Sequence, residues 1–289
     1  MKRWSQRTAH ILGGALLASA VALAGCGDNQ THPTPEHEGY GDAGDVPLSC
    51  MPNLDGRIDA AEMQATLDVP VSFLVSAAGA KRAVDVAGVV DDAGKRTWDW
   101  SDDVASDRTV SLAATTLGGK WYAESFPTGK FVTPMDAGGT LEGVYSEDDK
   151  TFWLHGIASA QKDPKGGRTL LVYQPPIALY RFPIEVGASW VSAGQVTNGT
   201  IKGLPYAGKD IYEVKDDGTG QLVLHDVTFS QVHRVRTKVT LAPATGASLV
   251  TRQVSFLFEC FGEVARATSV NGETLDDFTT ASEVRRLGL

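Results

Sequence analysis

From residue 67 to the end of the chain, apolar residues come in short runs alternating with polar ones, and no stretch keeps the 3.6-residue period of a packed helix. This pattern constrains the fold class most, because a period of two sends successive side chains to opposite faces of a sheet. Residues 69–75, 120–126, 151–157, 170–173 and 211–214 read as strands. Turn chemistry separates them: Asp92-Ala93-Gly94, Glu147-Asp148-Asp149, Asp216-Asp217-Gly218 and Asn271-Gly272, the last two being the most specific hairpin signals. About fourteen strands fit this punctuation, with one helical turn at residues 59–64. The expected fold is all-β: an antiparallel, sheet-rich domain over residues 67–289, built either as a sandwich or as a strongly curved sheet.

The most informative stretch is a long hairpin, residues 227–241 and 247–260, turning through residues 243–246. Alternation puts His233, Val235, Thr237, Val239 and Leu241 on one face and Arg234, Arg236 and Lys238 on the other. The basic stripe is either an anion or acidic-lipid site or, the favoured reading, a solvated face with long charged stems. The Asp-Asp pairs beginning at 91, 102, 148, 216 and 276 read first as turn formers and only second as metal ligands.

Residues 1–25 have the order of an export leader: Lys2, Arg3 and Arg7, then an apolar run over residues 11–23, then Leu23-Ala24-Gly25-Cys26. The run is about 13 residues, short of the roughly 20 that span a bilayer. The four residues ending at Cys26 resemble the bacterial lipobox, which implies cleavage before Cys26 and acylation of its thiol. Two or more acyl chains anchor stably where one does not, so the resemblance implies a protein held to a membrane surface in the cell envelope. Gly27, rather than Asp, after the cysteine favours the outer membrane by the sorting rule that goes with this resemblance. Loss of the leader takes 26 basic residues to 23 against 35 acidic ones, a formal charge of −12. Such a surface is repelled by nucleic acid.

Residues 26–48 carry prolines, glycines and few apolar groups, and read as a flexible tether in which His32 and His37 are spacer. With Cys26 acylated, Cys50 and Cys260 remain, in an oxidising compartment. A disulfide between them is expected, closing a loop of roughly 210 residues worth about 5 kcal/mol in chain entropy. The alternative is two separate buried thiols.

Residues 49–66 form a turn segment of their own, in which Asn53, Asp55, Gly56, Ile58, Asp59 and Glu62 resemble an EF-hand calcium loop. The resemblance implies calcium ligation by Asn53, Asp55, Asp59 and Glu62, structural in role. Met51 in the first ligand slot and Pro52 after it depart from the pattern, so a metal-free turn of similar shape is the favoured reading and no cofactor is required. Residues 218–229, followed by His233-Arg234-Val235-Arg236, and residues 182–190 resemble blocks of uncharacterised exported β-sheet proteins, a likeness that bears on fold alone.

Catalytic signatures are missing from the sequence: no Gly-x-Ser-x-Gly, no His-Glu-x-x-His, no phosphate-binding glycine loop and no spare cysteine. No catalytic residue is assigned. Outside the tether and leader, His155, His225 and His233 remain, and His155 reads as a hydrogen-bonded strand residue. The expected function is a non-catalytic envelope module that binds an envelope protein, a glycan or an apolar ligand. The alternative is an envelope-polymer hydrolase whose carboxylate pair, or Ser with His, only the fold would bring together. Trp98, Trp100, Trp121, Trp153 and Trp190 are either core filler or, on a concave face, ligand contacts.

Overall fold

The computed structural model describes residues 50–77 and 79–288; the leader, Cys26 and the tether with His32 and His37 lie outside the described residues. Eighteen strands and two 3₁₀ turns, with no α-helix, make up the regular structure of that part. In chain order the first strands are β1 (Arg57–Ile58), β2 (Val71–Val75), β3 (Arg82–Ala83), β4 (Val89–Val90), β5 (Arg96–Asp99) and β6 (Arg108–Leu112). Then come β7 (Thr115–Thr116), β8 (Phe131–Pro134), β9 (Leu141–Glu147), β10 (Thr151–Ser159), β11 (Leu170–Arg181) and β12 (Ile184–Glu185). The last are β13 (Ser189–Ile201), β14 (Leu204–Val223), β15 (Thr228–Pro243), β16 (Leu249–Phe258), β17 (Gly262–Ser269) and β18 (Thr280–Leu287). Five of the eighteen are two residues long, too short to carry a period, which accounts for the count exceeding the sequence expectation.

One sixteen-stranded sheet holds all but β1 and β12, which pair with each other. Its main path runs β6-β2-β18-β17-β16-β15-β14-β13-β11-β10-β9-β8-β7, antiparallel throughout. The expected hairpin is present, with Leu241 opposite Leu249 and His233 opposite Leu257. Of the two expected forms the structure takes the curved sheet, and it does not close into a barrel. Edge strands β6 and β7 are separated by only Ala113 and Ala114 in the chain, so the two ends of the sheet lie side by side without pairing. The seam is covered by Leu67 and Asp68, which bridge to Ala114, the Asp68 amide donating to the Ala114 carbonyl at 2.7 Å.

Register shifts in β10, β11, β13, β14 and β17 bend the strands as bulges do. At the β10 shift the backbone of β11 comes so close that a Cβ on Gly156 would sit 2.0 Å from the Leu171 carbonyl oxygen. The inner face carries one core, with Leu154, Tyr180, Trp190, Val196, Val235 and Leu257 among its members. The outer face has two more. Over β14 to β18, residues 84–100 bring Val86, Trp98 and Trp100 onto Phe256, Val254 and Val284. Over β8 to β10, Tyr122 and Phe126 cover Val132, Val144 and Ala158.

Two local expectations are corrected. Residues 120–126 form no strand: Ala123, Ser125 and Phe126 donate back to Lys120, Tyr122 and Ala123, so the segment turns, with a 3₁₀ turn at Ala123–Ser125. The four-residue spacing of Tyr122 and Phe126 then puts both rings on the outer core. Asp216-Asp217-Gly218 makes no hairpin but lies inside β14 at a register shift. Bonds from the neighbouring strand carry the chain through it: His233 Nδ1 lies 2.6 Å from Asp216, and Arg234 and Arg236 donate to Asp217 at 2.7 and 2.5 Å.

Residues 50–66 pack on the inner face. Ile58 and Met63 join its core, and β1 pairs with β12 through Ile58 and Ile184. Cys50 is disulfide-bonded to Cys260, with Cα atoms 5.6 Å apart. Beside it the amides of Asn53 and Leu54 both donate to Glu259 Oε2 at 2.7 Å, and the Cys260 amide donates to the Glu62 carbonyl at 2.9 Å. Alkylation of the unreduced protein should therefore leave Cys50 and Cys260 unmodified by peptide mapping. Cys260→Ser should cost about 2–5 kcal/mol of stability in denaturant unfolding. Adducts on both cysteines, or an unchanged unfolding midpoint, would refute the strap.

Candidate functional site

The inner core does not fill the space that the curved sheet encloses. A cavity of about 670 Å³ remains, within the roughly 300–1,000 Å³ typical of small-molecule sites. Its walls come from both halves of the sheet because alternate residues of each strand point inward. From β8 to β11 come Phe131, Tyr145, Phe152, Leu154, Ile157 and Tyr180. Opposite them stand Tyr212 of β14, Thr237, Val239 and Leu241 of β15, and Phe73 and Leu287 of β2 and β18. Met63, Ala65 and Val69 close a further side, so the chain that follows Cys50 is itself part of the wall.

None of the five tryptophans singled out above lines this cavity. Trp98 and Trp100 fill the outer core, donating to the carbonyls of Val86 and Asp85 at 3.2 and 2.8 Å. Trp190 donates to Ala178 and Trp121 to Ser159, both at 2.9 Å, while Trp153 reaches Asp148 at 2.8 Å. The aromatic lining is phenylalanine and tyrosine. Burial raises the Tyr145, Tyr180 and Tyr212 hydroxyls above the ordinary phenol range, so all three stay neutral donors.

One wall is charged. Arg285 of β18 donates from Nε to Glu263 Oε1 of β17 at 3.0 Å and again from Nη2 to the same oxygen; Arg266 Nη1 lies 3.7 Å from it, and Ser255 donates to Oε2 at 2.7 Å. Arg266 also donates to the Met135 carbonyl at 2.8 Å and stands 3.6 Å from Glu283. Burial pushes the Glu263 carboxyl up, but the two guanidiniums and the Ser255 hydroxyl outweigh it and hold it at about 2. Arg285 Nη1 is buried and has no hydrogen-bond partner among the described residues.

The remaining candidates lie elsewhere. In the EF-hand-like segment, Asn53 Nδ2 donates to Glu62 Oε1 at 3.0 Å, Glu62 Oε2 accepts from the Asp59 amide at 2.9 Å, and Arg57 stands 3.4 Å from Asp55 and 3.0 Å from Asp59. The guanidinium thus sits between two of the four proposed ligands and the other two bond to each other. Among the described residues no three His, Cys, Asp or Glu side chains are grouped to hold a metal ion. The basic stripe of β15 faces outward as expected, but carboxylates are paired along it: Arg234 and Arg236 with Asp217, Arg236 with Asp277, and Lys238 with Glu213 at 2.7 Å. Arg234 is buried rather than solvated, stacked 5.2 Å from the Trp98 ring.

His155 is buried, with Nε2 2.7 Å from the Ser146 hydroxyl and Nδ1 3.2 Å from the Thr128 hydroxyl, and burial lowers its pKa. A nucleophile and base are in reach there, yet the group on Nδ1 is an alcohol and not a carboxylate. His233 and Asp216 form the opposite arrangement, a base with a carboxylate, sealed from solvent and with no hydroxyl on Nε2 among the described residues. Neither pair lines the cavity. No family model matches the sequence, and no curated protein or solved structure is detectably similar to it.

The charged wall has a pH signature. Glu263 has its folded pKa, about 2, below the 4.5 of an unperturbed carboxyl, so the stability it contributes is complete above about pH 4.5 and is lost as the pH falls through 2. The loss should reach about 3 kcal/mol. Glu263→Gln should be less stable at neutral pH and flatter between pH 4.5 and 2 in denaturant titrations. Parallel pH profiles for the two proteins would remove Glu263 from this role.

Proposed function

We propose that the protein is a non-catalytic ligand carrier of the cell envelope: a β-sheet body, tethered to a membrane by lipid on Cys26, that holds an apolar molecule inside its curved sheet. The observation that carries this reading is the cavity, with Leu154, Ile157, Val239, Phe152 and Tyr145 on opposing walls. Burial of an apolar ligand against such a surface contributes roughly 25 cal/mol per Å² removed from water, a driving force that needs no specific polar contact. Of the three partner classes expected from the sequence, an apolar ligand fits these walls better than a glycan, which would need rows of polar groups.

The anchor and the cavity are linked through the chain. The tether of residues 26–48 leads directly to Cys50, and the wall segment with Met63 and Ala65 begins a dozen residues after that cysteine. A carrier built this way stays at the bilayer surface, where its ligand has its highest concentration. The form of the hydrolase alternative that uses a Ser with a His would rest on Ser146 and His155, which lack an orienting carboxylate and do not open into the cavity.

The test uses the full chain with Cys26→Ser, so that no detergent competes for the site. A fluorescent apolar probe should bind saturably, and Thr251→Trp, which fills space on the cavity wall, should weaken binding at least about tenfold without loss of the folded circular dichroism spectrum. Binding indifferent to that substitution, or turnover of ester, peptide or glycoside substrates abolished by His155→Ala, would overturn the carrier reading.

A further inference from the structure

The apolar cavity has one wall that hydrocarbon alone would leave poorly matched. Glu263, Arg266 and Arg285 stand together on it, contributed by β17 and β18. Glu263 is the carboxylate both guanidiniums share, and Arg285 spends Nε and Nη2 on the same oxygen of it. The other carboxylate on the cavity, Glu62, is already bonded to the Asp59 amide and the Asn53 side chain within its own turn. Arg266 is turned toward Met135 and Glu283. Arg285 Nη1 is left, a buried cationic donor without an acceptor among the described residues. Burying such a group unpaired is costly, and an anionic oxygen is the acceptor that a planar guanidinium pairs with best.

Resting on the carrier reading above, we infer that the ligand is a single-chain amphiphile whose anionic oxygen head, a carboxylate or a phosphate, docks on Arg285 while its alkyl chain lies along Phe152, Leu154 and Val239. Arg285 is then the head-group anchor. Arg266 and Glu263 position it, Glu263 by fixing Nε and Nη2 so that Nη1 remains free for the ligand. The Tyr145 hydroxyl, a neutral group on the same cavity, lies within the field of the same three charges.

The experiment measures displacement of the apolar probe from the full-length Cys26→Ser protein by three competitors below their micelle concentrations, a long-chain fatty acid, its methyl ester and the alkyl phosphate of equal chain length, and by two-chain phospholipid supplied as vesicles. The acid and the phosphate should each bind about tenfold or more tightly than the ester. The ratio of acid to phosphate tells which head the site prefers. In the Arg285→Gln/Glu263→Gln double variant, which removes the ion pair and leaves Arg266 to Glu283 and the Met135 carbonyl, acid and ester should bind alike. Equal affinities for acid and ester in the parent protein would overturn the head-group assignment while leaving the carrier reading intact. A preference that survives the double variant, or tighter binding of the two-chain lipid than of any single-chain competitor, would also overturn it. Failure of the probe itself to bind would instead remove the carrier reading on which the inference rests.

Discussion

Right-handed strand twist accumulates across the thirteen hydrogen-bonded strands of the main path, and an open sheet of more than about ten strands must curl, split or flatten. Here it curls, with the bulges in β10, β11, β13, β14 and β17 supplying local bends. Curling brings β6 and β7 side by side, yet only Ala113 and Ala114 join them and no ladder closes the seam. A sheet of this width encloses more volume on its inner face than Leu154, Val235, Leu257 and their neighbours can fill. The cavity follows from the strand count and is not an isolated defect in packing.

That geometry has a cost in exposed inner surface, and the segment after Cys50 offsets part of it. Ile58 and Met63 extend the inner core, Glu259 accepts from the Asn53 and Leu54 amides, the Glu62 carbonyl accepts from the Cys260 amide, and the Cys50–Cys260 bond ties the segment to the end of β16. Within it Asn53 bonds to Glu62, Glu62 accepts from the Asp59 amide, and Arg57 pairs with Asp55 and Asp59. The outer face is closed differently, by Trp98 and Trp100 on one side and Tyr122 and Phe126 on the other, which frees the inner face from having to supply the whole core.

Much of the fold is readable from periodicity. Alternation places Thr237, Val239 and Leu241 on the inner face and Arg234, Arg236 and Lys238 on the outer one, and the expected Cys50–Cys260 disulfide is present. What periodicity misses are the places where another strand decides. Asp216-Asp217-Gly218 has the composition of a turn, but His233, Arg234 and Arg236 on the neighbouring strand hold it extended. The charged wall is hidden for a sharper reason: strict alternation would put Glu263 and Arg266 on opposite faces. The register shift in β17, where Ala265 faces Phe256 but Glu263 faces Leu257, inserts an extra residue and turns both inward. No residue-type signal marks that bulge. Trp98 and Trp100, large enough to dominate a reading of composition, went to the outer core and Trp190 to the inner core away from the cavity, while tyrosine and phenylalanine lined the site.

The central claim is that the space inside the curved sheet is a ligand site open to an apolar chain. A crystal structure of the protein grown with a long-chain fatty acid carrying bromine at its terminal carbon tests it most directly, because the anomalous signal locates the chain without assumption. The expected result is one bromine peak inside the sheet among Phe152, Leu154 and Val239, with electron density running from it to Arg285. Bromine found only on the outer surface, or an inner face collapsed so that no chain fits between β10 and β15, would contradict the claim.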